Sequence, residues 1–199
     1  MVAPDIGLMK NERPPNGNRI RSKTELFCEG VIMNKAAEKQ SKINYLKGDA
    51  TKPIFAFGGD GKTEVRVIFH ICNDIRRWGK GFVIAVSDRW PHAKNCYLTG
   101  SMDLGSVTLA CVDGNLHVAN LIAQRGITPS GNVPPIRYDA FRDCLIQLAS
   151  WAQQVRLKGS LVSFHGPRMG AGLAGGDWKI IEGLIEERLG EFPVYIYDL

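Results

Sequence analysis

Paired cysteines, long apolar runs and blocks of basic residues are all missing from this sequence of 199 residues. Its five cysteines are scattered and never occur in C-x-x-C spacing. That pattern argues against a disulfide framework or a zinc site and favours a reducing compartment. No apolar stretch is long enough to cross a bilayer, and residues 1–22 contain no signal-peptide core. We therefore expect a cytoplasmic protein with no metal ligands and no membrane contact.

The charge of the chain excludes few functions. Its formal net charge of +5 suits an anionic ligand and is also ordinary for a soluble protein, and no basic arm for nucleic acid is present. The length fits one domain with a sizeable core plus a tail. We expect residues 1–40 to form a tail with one helix over 24–39, and residues 41–199 to form one domain of a monomer.

A glycine-rich stretch dominates the C-terminal third of the chain. It spans residues 163–178, after an apolar run at 161–164 that is typical of a buried strand and before apolar residues at helical spacing. Glycines expose consecutive backbone N–H groups, which together with a helix N-terminus suit a phosphate or diphosphate. The alternative is a plain strand-to-helix turn, because glycine adopts positive φ freely.

A second junction of the same kind lies earlier in the chain. The β-branched run Val65–Ile71 predicts a strand, and residues 72–81 predict a loop that enters a helix ending near Arg89-Trp90-Pro91. Open α/β sheets bind ligands at the carboxyl ends of their strands, where both junctions would lie. Neither glycine stretch combines G-x-G-x-x-G with a following ribose-binding acid, which argues against a nucleotide-binding oxidoreductase. We expect no cofactor.

The remaining elements predict a mixed sheet between helical layers. Asp113-Gly114-Asn115 is a hairpin signal between two predicted strands. The apolar stripe Phe141, Leu145, Leu148 and Trp151 predicts a helix buried along one side. We predict strands at 43–46, 107–111, 116–122 and 193–197, a helix at 138–157, and an antiparallel opening of the sheet.

Three motifs in this order resemble the macro domain, the ADP-ribose-binding module. They are Tyr45-Leu46-Lys47-Gly48-Asp49-Ala50-Thr51, then His70-Ile71-Cys72-Asn73 with Trp78-Gly79-Lys80-Gly81, and then Pro167-Arg168-Met169-Gly170-Ala171-Gly172-Leu173-Ala174-Gly175-Gly176-Asp177-Trp178. The resemblance covers residues 43–199. It implies a three-layer α/β/α sandwich with a mixed central sheet, here with an N-terminal helical extension. The branches it resembles most are the yeast-type ADP-ribose 1″-phosphate phosphatase and the terminal ADP-ribose protein glycohydrolase.

The resemblance also implies a set of ADP-ribose contacts. Adenine would lie at Asp49, the diphosphate across the two glycine loops, and the distal ribose near Asn73 and Ala174. The implied binding residues are Asp49, Ala50, Asn73, Trp78, Gly79, Lys80, Gly81, Phe82, Pro167, Arg168, Met169, Gly170, Ala171, Gly172, Leu173 and Ala174. For Lys80 the alternative is a solvated lysine, and for Asp49 alone it is a turn-forming residue.

His70 and Asn73 are the candidate catalytic residues. A histidine that titrates near neutrality suits acid–base work, and the alternative is a buried, hydrogen-bonded strand residue. The glycohydrolase branch uses a lysine and an aspartate where this chain has Gln124 and Ala174, neither of which supports that covalent chemistry. The phosphatase-type branch fits better. The expected partner is ADP-ribose or an ADP-ribosylated substrate, for an enzyme that hydrolyses it or for a non-catalytic reader.

Overall fold

The structure, a computed structural model, describes residues 43–57 and 61–199. The predicted helix at 24–39 lies outside this part of the chain, and the domain boundary after residue 40 stays a prediction. No helix within the described ranges is long and apolar enough to cross a membrane. The elements are β1 (Ile43–Lys47), β2 (Glu64–Asn73), α1 (Phe82–Arg89), α2 (Pro91–Thr99), β3 (Val107–Asp113), β4 (Leu116–Gln124), α3 (Tyr138–Leu157), β5 (Leu161–Pro167), α4 (Trp178–Leu189) and β6 (Val194–Asp198).

The strands form one mixed sheet in the order β1-β6-β5-β2-β4-β3. β2 pairs in parallel with β5 on one side and β4 on the other. β6 is parallel to both β1 and β5. Among the described strands, β3 alone runs antiparallel to its neighbour, β4. The carboxyl ends of the other five strands therefore meet at one edge.

The antiparallel opening predicted for the sheet is wrong. β1 pairs in parallel with β6, with Ile43 opposite Val194, and β2 lies three strands away. Almost every residue of β2 is buried, whereas β1 is largely exposed. A strand buried on both faces takes an inner position with parallel neighbours, which leaves β1 at the edge.

Helices cover both faces of the sheet. Alternate residues of β2 face opposite sides: Phe69 shares a hydrophobic cluster with Phe141 of α3 and Ile185 of α4. Ile68 instead shares a cluster with Val86 of α1 and a residue of α2, Ala93. The predicted α/β/α sandwich with a mixed sheet is confirmed.

Helix α2 is absent from the sequence-based prediction. Pro91 was expected only to end the preceding helix, but it also begins α2 as the first helical residue, where its missing N–H costs nothing. The helix lacks a clear apolar stripe because it buries just Ala93 and Tyr97, one turn apart. Since so little of α2 is apolar, the hydrophobic pattern gave no signal for it.

Other local predictions are confirmed with small shifts of boundary. The Asp113-Gly114-Asn115 turn joins β3 and β4 as an antiparallel pair, with Gly114 at φ 46°. Helix α3 has the predicted bounds, and its stripe is buried except for the half-buried Trp151. The last strand forms as well, but β6 lies inside the sheet between β1 and β5.

Gly166 of β5 has no room for a side chain. A Cβ atom there would lie 2.7 Å from the carbonyl oxygen of Phe69 and 2.6 Å from the terminal methyl of Met169. The methionine end could move, but the carbonyl belongs to the backbone of β2. Overpacking of this kind costs about 1–3 kcal/mol. Gly166→Ala should therefore lower the free energy of unfolding by about that amount in urea denaturation.

Gly183→Ala is the matched control. Gly183 lies inside α4 with nothing within 4 Å of its would-be Cβ, so the substitution should stabilise the protein by about 0.5–1 kcal/mol. If the Gly166→Ala protein were as stable as wild type, the close approach of β5 to β2 would be contradicted.

Candidate functional site

A cavity of about 650 Å³ opens at the edge where the parallel strands end. Its wall comes from the residues that end or follow β1, β2, β4, β5 and β6 and from the start of α1. Most of the predicted site residues line it: Asp49, Ala50, His70, Lys80, Gly81, Phe82, Pro167, Arg168, Met169, Gly170, Gly172, Leu173 and Ala174. Four predicted residues are not part of this wall: Asn73, Trp78, Gly79 and Ala171.

Asp49 presents an oriented carboxylate to the cavity. Its Oδ1 accepts hydrogen bonds from the backbone N–H of Thr51 at 2.9 Å and from the Thr51 hydroxyl at 2.8 Å. Partial burial raises the pKa of Asp49, but these two bonds and the charges of Lys52 and Arg89 outweigh it, so the net shift is downward. Oδ2 is left to accept from a ligand, with the Lys52 ammonium 3.9 Å away.

Helix α1 helps to orient that carboxylate from a distance. Arg89, its last residue, donates from Nη1 to the Thr51 hydroxyl oxygen at 3.2 Å. Thr51 is buried, and its hydroxyl proton goes to Asp49. Arg89 and Thr51 therefore act as supports for Asp49, although neither lines the cavity.

The first turn of α1 brings the N-terminus of a helix to the cavity wall, which suits an anion. Its N-cap, Gly81, has φ 80° and makes no side-chain capping bond, and the first turn contains no acidic residue. The first N–H groups of a helix have no partner inside it and carry the positive end of its dipole. Phe82 and Val83, which belong to this turn, line the cavity beside Lys80.

The N-terminus of α4 is not available in the same way. The sequence suggested it as an anion site together with the second glycine stretch. Asp177 caps this helix by accepting the Lys179 N–H at 2.8 Å, and neither residue lines the cavity. A carboxylate of the chain already occupies this end, so the helix end suited to a ligand anion is that of α1.

The second glycine stretch folds back on itself. The Gly176 N–H donates to Gly170 O at 2.8 Å, and the Gly175 N–H donates to Gly172 O at 2.9 Å. Gly170 has φ 75°, and a Cβ there would lie 2.9 Å from Ile181 in the core. A Cβ at Gly172 would meet nothing within 4 Å. Gly170 is thus required by packing, whereas Gly172 leaves open space at the cavity.

His70 lies in the cavity wall with both ring nitrogens engaged. Asn120 donates its two amide protons to Ala93 O and the Thr108 hydroxyl, at 3.1 and 3.0 Å. Its oxygen therefore accepts from His70 Nε2 at 2.8 Å, which assigns the proton to Nε2. The other nitrogen, Nδ1, lies 3.6 Å from the Cys72 thiol.

The expectation that His70 titrates near neutrality is wrong. The side chain is buried, and burial lowers the pKa of His70 to about 4 in spite of its bond to Asn120. The rings of Trp78 and Phe82 pack edge-on against it. At neutral pH His70 is a neutral, fixed part of the wall, in line with the alternative of a hydrogen-bonded strand residue.

Asn73 organises the first loop instead of facing the cavity. Its Oδ1 accepts the N–H groups of Ile75 and Arg77, and its Nδ2 donates to Arg77 O at 2.6 Å. The Tyr97 hydroxyl donates to the same residue, 2.9 Å from both its oxygens. These bonds use most of the side chain's hydrogen-bonding capacity, so Asn73 shapes the loop that carries Lys80.

Arg168 is held rigidly at the cavity wall. Its Nε and Nη2 donate to the two Asp198 oxygens at 2.6 and 3.2 Å. The guanidinium lies 4.9 Å from the centre of the Tyr45 ring and 5.2 Å from that of Trp178. The bidentate pair balances the charge and fixes the direction of the side chain.

Sequence reasoning missed several residues that shape the site. Tyr197 and Gln124 both line the cavity. From the sequence, Gln124 stood out only as the residue that replaces the glycohydrolase lysine. The supports Thr51, Arg89 and Tyr97 act through other residues, so their types alone carried no signal. The Asp-x-Thr spacing at 49–51 was the one available hint, since Asp and Thr side chains often bond the backbone two residues on.

Comparison with known proteins links this fold to others. No protein-family model matches the chain. A solved protein of unknown function from Bacteroides thetaiotaomicron is 43% identical, with 79% of this chain and 98% of that chain covered and a TM-score of 0.70. A macrodomain protein from Streptomyces coelicolor is 38% identical, with 79% and 99% covered and a TM-score of 0.64. Thermosipho africanus DarTG, solved in complex with ADP-ribose, shares the fold at 18% identity, with 66% and 37% covered and a TM-score of 0.52.

The protonation of His70 can be tested by NMR. Since its folded pKa of about 4 lies below the ordinary 6.5, the ring should keep the neutral Nε2–H form between about pH 8 and 5. The unfolded chain takes up a proton between these two pKa values, so this histidine should make the folded state less stable as the pH falls through that window. Nitrogen-15 ring shifts, assigned with His70→Gln, would report the titration, and urea-unfolded protein serves as the control. A folded midpoint near 6.5 would contradict the assignment.

Proposed function

Because this chain belongs to the macrodomain family, we propose that its cavity binds ADP-ribose and that the protein hydrolyses an ADP-ribose derivative. One observation supports binding above the others. A single cavity contains an oriented carboxylate at Asp49, the uncapped N-terminus of α1 and glycine backbone at Gly172. The carboxylate suits the exocyclic amine of an adenine, and the helix N-terminus suits a diphosphate. The glycine backbone lets the ligand approach closely. The ADP-ribose complex of DarTG supports the same ligand class.

The proposed ligand runs from Asp49 to Gln124. The exocyclic amine of adenine donates a hydrogen bond to Asp49 Oδ2, and the backbone N–H of Ala50 donates one to a ring nitrogen. The diphosphate lies on the first turn of α1 with Lys80 as its counter-charge. The distal ribose lies near Gln124 and Ala174, which replaces the sequence-based placement beside Asn73.

The chemistry of the wall limits the substrates that could be hydrolysed. His70 is neutral with both nitrogens engaged, and Gln124 and Ala174 can act neither as nucleophile nor as acid. In this proposal the leaving group departs as a stable anion, because none of these three residues can give it a proton. Water would bond to C1″, the bonding pair would leave with a phosphate or carboxylate oxygen, and the proton of the water would pass to solvent. Loop N–H groups and Lys80 would stabilise the developing charge.

A leaving group that needs no proton favours ADP-ribose 1″-phosphate and carboxylate-linked ADP-ribosyl proteins over nitrogen-linked adducts. ADP-ribose 1″-phosphate is also the substrate of the phosphatase-type branch that the sequence resembles. The lysine mechanism of the glycohydrolase branch has no support, because Gln124 and Ala174 occupy the two positions it needs. In this proposal His70 shapes the wall and Asn73 positions the first loop.

A non-catalytic ADP-ribose reader is the second candidate function. The observation that favours it is the neutral state of His70, since binding needs no proton transfer. A reader would bind ADP-ribose as tightly as the enzyme and release nothing from any adduct. Turnover measurements therefore separate the two candidates.

Asp49→Asn tests the binding proposal. The wild type should bind ADP-ribose with a dissociation constant in the micromolar range or below, about −8 kcal/mol or better. Asp49→Asn should weaken binding by about 10–100-fold, since the amide loses the charged acceptor for the base and the Thr51 pair is disturbed. Isothermal calorimetry measures both constants.

Asp113→Asn, at an exposed position of β3 that does not line the cavity, is the matched control and should bind as wild type does. AMP should bind more weakly than ADP-ribose because it leaves the distal contacts unmade. No heat and no thermal shift with excess ADP-ribose would remove the proposal.

The turnover prediction concerns the bond that breaks. Release of ADP-ribose should occur from ADP-ribose 1″-phosphate or a glutamate-linked adduct and be at least about 10²-fold slower from an arginine-linked adduct, which needs a general acid. The kcat profile should show no histidine limb between about pH 5 and 8, because His70 stays neutral there. Chromatography of released ADP-ribose provides the assay. Faster cleavage of the arginine-linked adduct would overturn the proposal about the leaving group. If none of these substrates were cleaved, the non-catalytic reader would be the remaining function.

A further inference from the structure

A chain of buried hydrogen bonds runs through three strands beside the cavity. The Tyr197 hydroxyl on β6 is 3.1 Å from Nδ1 of His165 on β5. Nε2 of His165 is 2.9 Å from the hydroxyl of Ser163, which is 2.5 Å from Oε1 of Glu64 on β2. All four residues are buried. The binding site described above uses only Tyr197 among them.

The donor and the acceptor of each hydrogen bond in this series follow from the number of protons that each group carries. Ser163 has one hydroxyl proton and donates it to the Glu64 carboxylate, so its oxygen accepts from His165 Nε2. His165 Nδ1 then accepts from the Tyr197 hydroxyl, whose oxygen accepts the Ile54 N–H at 3.2 Å. Burial, and next the charge of Arg66, lower the pKa of His165 to about 3, which keeps the ring neutral. Each of the four side chains in the series therefore has hydrogen-bond partners for its polar groups.

Both ends of this chain of hydrogen bonds hold the backbone of residues 54–56, which follow β1 in the sequence. At one end Tyr197 binds the Ile54 N–H, and at the other the Glu64 carboxylate accepts the Ala56 N–H at 3.0 and 3.1 Å. Arg66 adds a bond from Nη1 to Pro53 O at 3.1 Å. Residues 53–56, which follow Asp49 and Thr51, are thus held to β2 and β6 by side-chain hydrogen bonds.

The same chain reaches the end of the cavity where Asp49 lies. The ring of Tyr197 lines the wall, and the next residue, Asp198, accepts the Gly48 N–H through its backbone oxygen at 2.8 Å. A fully satisfied buried network fixes one arrangement of its members. Apolar packing of the same volume would often be equally stable without fixing a direction.

We propose that Glu64, Ser163 and His165 are positioning residues. They hold Tyr197 and the base end of the cavity, which is the end at Asp49 where adenine binds, in the ligand-binding arrangement. The inference rests on the proposed binding of ADP-ribose and assigns a role to groups that do not line the cavity. Their effect is on the adenosine part of the ligand. The distal end, near Gln124, lies at the end of β4, two strands away from β5 in the sheet.

Two substitutions interrupt the chain with little change in volume. Ser163→Ala breaks it between His165 and Glu64 without touching the wall, and Tyr197→Phe removes the hydroxyl but keeps the ring at the cavity. Each should weaken ADP-ribose binding by about tenfold, the equivalent of one hydrogen bond lost from a buried network. Calorimetry well below the melting temperature of each variant measures the change.

Tyr195→Phe is the matched control on the same strand. The Tyr195 ring stacks on His165 with the ring centres 5.1 Å apart. Burial and the charge of Glu64 raise the pKa of Tyr195, but its hydroxyl takes no part in the hydrogen bonds of the described residues. Removing this hydroxyl leaves the chain intact, so ADP-ribose should bind within about twofold of wild type.

A comparison with AMP separates positioning from general damage. AMP keeps the base end of the ligand and lacks the distal ribose, so a defect at the base end should weaken AMP and ADP-ribose by the same factor. Nitrogen-15 shifts should also show His165 as the Nε2–H tautomer in wild type and a changed Nδ1 shift in Tyr197→Phe.

The outcomes are distinguishable. Equal losses for both ligands in Ser163→Ala and Tyr197→Phe, with Tyr195→Phe unaffected, support the positioning role. Wild-type binding in both variants, an equal loss in Tyr195→Phe, or a larger loss for ADP-ribose than for AMP overturns it while the proposed function stands. A wild type that fails to bind ADP-ribose rejects the proposed function and this role with it.

Discussion

Parallel pairing of β6, β5, β2 and β4 is the constraint on which the site depends. Parallel strands end at the same edge, so residues far apart in the sequence meet there. Asp49, Gln124 and Tyr197 come from three different strand ends and line one cavity. The pairing in turn depends on β2, which is buried on both faces and can lie only inside the sheet. The position of the cavity thus follows from the burial of one strand.

Most polar groups around the cavity are already committed to the protein itself. Asn73 bonds its own loop, His70 bonds Asn120, and Asp177 caps α4. Among the groups left for a ligand are one oxygen of Asp49, the first turn of α1 and the charge of Lys80. Such a division suits tight recognition of an anion with a base attached, and it makes proton transfer by the wall difficult.

The sequence predicted the fold well where the pattern was strong. β2, α3 and the β3–β4 hairpin each had an apolar run, a stripe or a turn signal that only one structure satisfies. α2 was missed because two buried residues make no stripe, and the partner of β1 was mistaken because pairing between distant strands leaves no local mark.

The site was predicted less evenly. Residues that meet the cavity directly, such as Asp49 and Gly172, came from the motifs. The state of His70 could not, because burial after folding lowers its pKa and its hydrogen-bond partner Asn120 is fifty residues away in sequence. The support from Arg89 had no signal for the same reason, since its contact with Thr51 exists only after folding.

A crystal structure of the protein with ADP-ribose would show whether the cavity binds the ligand in the proposed direction. We expect adenine at the Asp49 carboxylate, the diphosphate on the first turn of α1 beside Lys80 and Gly172, and the distal ribose near Gln124 and Ala174. A ligand bound in the opposite direction, a diphosphate at the N-terminus of α4, or electron density outside this cavity would contradict it.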